Sequence, residues 1–320
     1  MQMNSMAKRE LQLLIDLNNF RHGRKPKNVS HATQHDRAHN LHKLFRMLHQ
    51  NLNMCLMPRS FRMKHVWAIV RYWEKKGLSA ATMQKQFSYL KTFCTWIGKA
   101  GMISGSLEDY LQNPEVARRI YRARTDKSWE GNGLDVEAII TEISEYDKFI
   151  GAILGLQRTT GIRMKEASMC RPHQSDLGAL FHIKFGTKGG RERFVPIDTP
   201  EKRAAIYHAK SLVKDPDLFL GNPEKTLKQN ISRYYTVLRK FKLTKAALGA
   251  TGHGLRAGYG LNVYEQRTGV AAPVRGGHAI EKERDHAARL EIAAHYGHGR
   301  ASISTAYLGG ILRVRQEPSK

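Results

Sequence analysis

At 320 residues the chain is longer than one compact core usually organises, so about two domains are expected. With 41% hydrophobic and 25% charged residues, it falls outside the disordered and fibrous classes. The 53 Lys and Arg outnumber the 28 Asp and Glu, for a formal charge of +25 and a pI near 10.1. Such an excess repels itself in a compact state and points to a polyanionic partner, nucleic acid before an anionic membrane surface.

Residues 1–34 are polar and basic and end in Arg21-His22-Gly23-Arg24-Lys25-Pro26-Lys27, where Gly and Pro stop a helix. They are expected to form an arm that touches DNA phosphates or stays solvated. Leu41, Leu44, Phe45, Leu48 and Leu52 recur at three and four, as do Met63, Val66, Trp67, Val70 and Trp73 after a candidate N-cap, Ser60, so two one-faced helices are predicted. A third starts at Ser79 after Gly77 and turns Met83, Phe87, Leu90, Cys94 and Ile97 inward, with Lys85 and Lys91 opposite. A fourth, short helix is expected after Pro114, displaying Arg118, Arg119, Arg122 and Arg124 for phosphate contact. These elements form a helical unit over residues 35–127. Residues 125–133, rich in Gly and charge, read as a linker, with a second unit over 134–320.

In that second unit, 136–143 and 149–156 read as helices, the latter stopping at Gly161. Residues 180–185 and 193–197 alternate as strands around Gly186-Thr187-Lys188-Gly189-Gly190, a hairpin signature, and the pattern is helical again from Pro200. The expected fold class is mainly α with a small antiparallel sheet (α+β). No apolar run reaches the roughly 18 residues of a spanning helix, and Met1-Gln2-Met3-Asn4 does not open a secretory signal. Cys55, Cys94 and Cys170 show no metal-ligand rhythm and read as reduced thiols, small buried hydrophobes of a cytoplasmic protein.

Taken singly, the chemistry-bearing residues have ordinary readings. Arg163 could be a surface arginine, His253 and Arg256 a helix-face pair, Lys188 a solvated turn lysine and Tyr307 a packed aromatic. Their order changes this. The chain runs Thr160-Gly161-Ile162-Arg163-Met164-Lys165-Glu166, then a hairpin with Lys188, then His253-Gly254-Leu255-Arg256, then Tyr296-Gly297-His298, and Tyr307 nine residues later.

This sequence of motifs resembles the tyrosine recombinase (phage integrase) family, whose pattern is T-G-[LI]-R-x-x-E, a hairpin Lys, H-x-L-R, G-H and a Tyr nine residues on. The likeness covers roughly residues 135–310. The preceding helices resemble the family's core-binding domain through Gly77-Leu78-Ser79-Ala80-Ala81-Thr82 and Leu90-Lys91-Thr92-Phe93. A helical core-binding domain followed by a catalytic domain is therefore implied.

A DNA phosphodiester is anionic, so cleavage needs positive charge where the pentavalent transition state gathers negative charge. Arg163 and Arg256 suit that clamp, because guanidinium forks donate paired hydrogen bonds and stay charged. A phenol, with a pKa ordinarily about 10, needs a base or a positive field to attack, and the arginines with His253 and His298 supply both. The resemblance implies that Tyr307 attacks, that Lys188 protonates the leaving 5′ oxygen, and that a 3′-phosphotyrosine results without ATP, metal or other cofactor. Glu166 is expected to support the site by hydrogen bonding. His295 and His298 form an H-x-x-H, but without convergent Cys or carboxylate ligands no metal is expected.

The resemblance further implies double-stranded DNA as partner, a dimer per site and a tetramer in the synapse, with no membrane and a cytoplasmic, nucleoid-associated location. Integration or excision of a mobile element is the leading role. A type IB topoisomerase or telomere resolvase would use the same chemistry, and a catalytically silent DNA-binding protein is the third class. Lacking a recognisable large arm-binding domain, the chain reads as a simple recombinase.

Three departures stand out. Ala257 follows Arg256 where many relatives carry His, and Tyr296 replaces a Leu. The 42-residue step from Arg256 to His298 is about twenty longer than the family pattern. The extra stretch is placed between Thr268 and His286, for contact with DNA, a neighbouring subunit or solvent. After Tyr307 come Leu312, Arg313, Val314 and Arg315, a short tail for docking on an adjacent protomer.

Overall fold

The computed structural model describes residues 4–23 and 26–312. Arg24 and Lys25 of the expected arm, and Arg313, Val314 and Arg315 of the expected tail, lie outside the described residues. The chain forms two compact units, Met1–Ile120 and Tyr121–Lys320.

The first unit is built from α1 (Ser5–Asn18), α2 (His31–Leu52), α3 (Met63–Lys75) and α4 (Ala80–Trp96). The expected arm is in good part a helix. Leu11, Leu14 and Ile15 repeat at helical spacing and are buried in the same core as Leu41 and Leu48. Burial of each such side chain stabilises by about 2 kcal/mol, which a solvated arm would forgo. Arg62, not Ser60, precedes α3, and its N–H donates to His65 Nδ1 at 2.9 Å while Ser60 closes a 3₁₀ turn. The buried face of α3 is Val66, Ile69, Val70 and Trp73, and Trp67 stands partly exposed against Tyr110, ring centroids 4.9 Å apart. Ser79 caps α4 as expected.

After Pro114 only a 3₁₀ turn, Pro114–Ala117, forms instead of the expected fourth helix. Ala117 is buried and its carbonyl accepts from Gln84 Nε2 at 2.8 Å, so the backbone leaves it extended, with Arg118 and Arg119 exposed. Cys94 and Cys170 are buried as expected, but Cys55 is exposed, its Sγ 3.3 Å from His49 Nδ1.

The second unit starts earlier than the sequence indicates. Residues 125–133 are no free linker, because Trp129 and Ser128 are fully buried and the Trp129 indole N–H donates to the Thr251 carbonyl at 2.8 Å. Then come α5 (Val136–Tyr146), α6 (Lys148–Thr160), α7 (Met164–Ser168), α8 (Pro172–Ser175), β1 (Leu180–Ile183) and β2 (Arg193–Pro196). After these follow α9 (Pro200–Leu212), α10 (Leu227–Lys240), α11 (Lys245–Leu248), α12 (Gly252–Thr268), α13 (Lys282–His295) and the one-turn α14 (Thr305–Leu308). The fold is mainly helical, with one antiparallel pair of strands, Phe181 opposite Val195, among the described residues. Ile153, Leu156, Ile206, Leu255, Leu261 and Ile292 join α6, α9, α12 and α13 in one core. No helix among the described residues is long and apolar enough to cross a membrane.

The stretch between α12 and α13 is anchored rather than loose. Its 3₁₀ turn, Pro273–Arg275, carries Arg275, whose Nε donates to Asp126 at 2.7 Å and whose Nη2 reaches Ser128 at 3.3 Å.

Candidate active site

Two helix starts and two turns bring the site together. α6 ends on Gly161 at φ +65°, where an added Cβ would lie 2.3 Å from the Tyr259 ring, so only glycine turns the chain there. Ile162 plugs the core and Arg163 becomes the N-cap of α7. Glu166, three residues on, accepts the Arg163 backbone N–H at 2.7 Å, so the R-x-x-E spacing is first of all a helix cap.

Glu166 then does more than cap. It is buried and also accepts from Arg163 Nη1 at 2.8 Å and from Arg193 Nη1 and Nη2 at 3.0 and 2.6 Å. Burial pushes its carboxyl up, but Arg193 and Arg163 outweigh burial and hold it below the ordinary range, so it is an anion between two cations.

His253 and Arg256 open α12, and their three-residue spacing puts them on one face. Arg256 is fully buried. Nη1 donates to the Gly161 carbonyl at 2.5 Å and Nη2 to the Tyr296 carbonyl at 3.0 Å. Its Nε–H has no hydrogen-bond partner among the described residues, and the charge of its guanidinium acts on Tyr307. Arg163 Nη2 reaches the same Tyr296 carbonyl at 3.4 Å and His298 Nε2 at 3.5 Å.

Tyr307, on α14, places its hydroxyl 3.4 Å from His253 Nε2. That is a long hydrogen bond, of the kind that tightens when substrate binds. Packing around the imidazole, then Arg256 and Arg163, push His253 down to about 4, although the ring opens to solvent. Burial and the same arginines, with Lys188 adding, bring His298 to about 4 as well. Both imidazoles are therefore neutral near pH 7, and His253 can accept the phenolic proton.

Lys188 stands exposed in the turn between β1 and β2, in a 3₁₀ segment Lys188–Gly190, close enough for its charge to act on His298. An open cleft of about 590 Å³ lies beside Tyr307 and His253, with Lys127 and Lys245 on its wall. Arg163, His253, Arg256, His298 and Tyr307 thus meet in one place, with Lys188 at its edge. His295 faces elsewhere. It is buried, and its Nδ1 hydrogen-bonds the Tyr259 hydroxyl at 2.9 Å.

Two site residues escape the motif reading. Arg193 ties Glu166 to the His295 carbonyl, which it reaches through Nε at 2.6 Å. Its signal is its place on the inward face of β2, where a cation requires a buried anion. Tyr296 is buried, with the Arg256 guanidinium 3.8 Å over its ring and the Tyr307 ring 4.8 Å away, edge-on, while its hydroxyl donates to the Arg256 carbonyl. The replacement of the family's Leu by Tyr296 marked that position.

A family model described as phage integrase, N-terminal, matches residues 18–103, and one described as integrase matches 118–262. The second match stops before His298 and Tyr307. Among curated relatives, tyrosine recombinase XerC of Corynebacterium efficiens is 33% identical over 128 residues, 38% of either chain. The XerC of Xylella fastidiosa is 29% identical over 135 residues, 41% of this chain and 42% of its own. The alignments therefore span about two fifths of the length of these relatives.

A lambda integrase tetramer bound to a Holliday junction shares the fold at a TM-score of 0.59 and 14% identity, covering 99% of this chain and 79% of that one. A Tn1549 transposon integrase in complex with transposon right end DNA does so at 0.54 and 15%, covering 93% and 94%. With the two family matches spread over both units, the chain belongs to the tyrosine recombinase, or phage integrase, family.

Proposed function

We propose that this chain is a site-specific recombinase that cleaves and rejoins double-stranded DNA through Tyr307. The carrying observation is the Tyr307 hydroxyl 3.4 Å from His253 Nε2, with the charge of Arg256 acting on the phenol. The Tyr307 oxygen attacks the scissile phosphorus and passes its proton to His253 Nε2. The bond from phosphorus to the 5′ oxygen breaks, and that oxygen takes a proton from the Lys188 ammonium. A 3′-phosphotyrosyl ester and a 5′ hydroxyl result, and the reverse reaction rejoins a strand. Arg163, Arg256 and His298 bind the non-bridging oxygens as charge grows on them. Glu166 and Arg193 fix the orientation of Arg163. Protein side chains supply the charge and the proton transfers, without ATP or a metal.

The family and the DNA-bound integrases of similar fold support DNA as substrate, with a dimer on each site and a tetramer in the synapse. Integration or excision of a mobile element is the role we favour. The +25 charge predicts binding that weakens steeply with salt. The test is a nicked suicide substrate carrying the cognate site. It traps a covalent adduct with the wild type and none with Tyr307→Phe, and the intact protein exchanges strands between two sites. An adduct with supercoil relaxation but no exchange would instead mark a topoisomerase. No adduct on a verified site would leave a DNA-binding protein.

A further inference from the structure

The nucleophile segment is held from behind by a buried cluster outside the catalytic set. α14 is a single turn, too short to keep its shape unaided. On its amino side the Ala123 N–H donates to the Thr305 carbonyl at 2.8 Å. On its carboxyl side Arg289, from α13, donates Nη1 to the Gly309 carbonyl at 3.4 Å and Nη2 to the Gly310 carbonyl at 3.2 Å.

Arg289 is in turn fixed. Its Nε donates to both oxygens of Asp285, at 2.9 and 2.8 Å, and the Tyr264 hydroxyl donates to Asp285 Oδ1 at 2.7 Å. Both Arg289 and Asp285 are buried. A buried ion pair contributes little net stability, but leaving either partner unpaired in the interior is costly, so Asp285 holds Arg289 in place. Gly309 also presses on Val274. Its φ is +89°, and a Cβ there would come 2.9 Å from the Val274 nitrogen. Val274 lies in the segment between α12 and α13, and Asp285 in the first turn of α13. Val274 thus meets Gly309 directly, and Asp285 acts on Gly309 and Gly310 through Arg289.

We propose that Arg289, clamped by Asp285 and Tyr264, is a positioning residue that latches Tyr307 in place. The latch fixes the two carbonyls that follow α14, and so sets the distance from the Tyr307 oxygen to the scissile phosphorus. It rests on the reading of Tyr307 as nucleophile.

The experiment compares the wild type with Arg289→Lys and with the double variant Arg289→Met/Asp285→Leu, in which no lone charge is left buried to unfold the protein. At saturating nicked DNA, the first-order rate of adduct formation should fall about 10²-fold in the double variant, the scale of a displacement near 1 Å. Arg289→Lys, which keeps the ion pair but cannot reach two carbonyls, should not restore it. DNA affinity should stay within about twofold, because no phosphate contact is removed. Amide hydrogen exchange over residues 305–310 should quicken in both variants.

An unchanged rate, or a rate lost only in step with DNA affinity or the thermal transition, would overturn the positioning role. Unchanged exchange would overturn the latch itself. Exchange is read without DNA. If the wild type forms no adduct, the nucleophile reading and the positioning role fall together, while exchange still decides the latch.

Discussion

Replacing Glu166 with Gln should separate the charge of this side chain from its shape. Glu166 accepts four N–H bonds, one from the Arg163 backbone, one from its guanidinium and two from Arg193. Gln is isosteric but carries no charge, and its NH₂ must face donors, so at least two charge-assisted bonds are lost. At about 1.5 kcal/mol each, that is about 3 kcal/mol, the lower end of the range for breaking a buried pair. In a unit of about 200 residues, 1 kcal/mol moves Tm by about 2–4 °C, so a fall of about 6–12 °C is expected by calorimetry. With Arg163 no longer held, adduct formation at saturating DNA should slow about 10²-fold. DNA affinity should hold or rise, since the site gains net positive charge.

The pH dependence carries the same signature. The Glu166 carboxyl sits below its ordinary range. Its stabilisation is therefore complete above the ordinary carboxyl pKa and is lost as pH falls through the folded value. Glu166→Gln should flatten that acid limb. A Tm within about 2 °C of wild type together with an unchanged rate would refute the account of Glu166 as the anion that orients Arg163.

Tyr296→Leu restores the family's usual residue but removes a ring that lies under the Arg256 guanidinium and meets Tyr307 edge-on, and a donor to the Arg256 carbonyl. A loss of about 2 kcal/mol in denaturant unfolding and a roughly tenfold slower adduct rate are expected. His295 is buried with its pKa lowered to about 4, by burial first. The unfolded chain takes up that proton first, so stability is full above pH 6.5 and declines as pH falls toward 4, by up to about 3 kcal/mol. His253 and His298 shift the same way but face solvent and add less. His295→Gln should flatten the profile of Tm against pH between those limits. Adduct yield should be unchanged after exhaustive chelation and dialysis, and loss of activity restored by a divalent cation would sink the metal-free scheme.

The parts legible in the sequence were those written in periodicity and motif spacing. The stripes of α2 and α4, the Gly161 stop and the strands on either side of Lys188 follow from local chemistry. Arg163, Lys188, His253, Arg256, His298 and Tyr307 stood out because their order in the chain mirrors a known pattern, though only the fold brings them together. What escaped was set by tertiary contact. Trp129 sits among charges and glycines that read as a linker, yet its indole fills the core. The Leu11-Leu14-Ile15 stripe lies in a stretch whose overall polarity pointed to an arm. The Arg289 latch consists of an ordinary i, i+4 pair on a charged helix, and only the fold shows that the pair is buried.

The burial of Trp129 bears on how the second unit can be dissected. A truncation that begins at residue 134, where composition places the boundary, discards that indole, leaves the Thr251 carbonyl without its donor and frees Arg275 from Asp126. It also removes Ala123, which pairs with the turn bearing Tyr307. The hole left by a tryptophan costs about 3–5 kcal/mol, a large share of the stability of a domain. A fragment beginning at residue 121 keeps the plug, and it is the shortest piece expected to hold the tyrosine where the intact chain holds it.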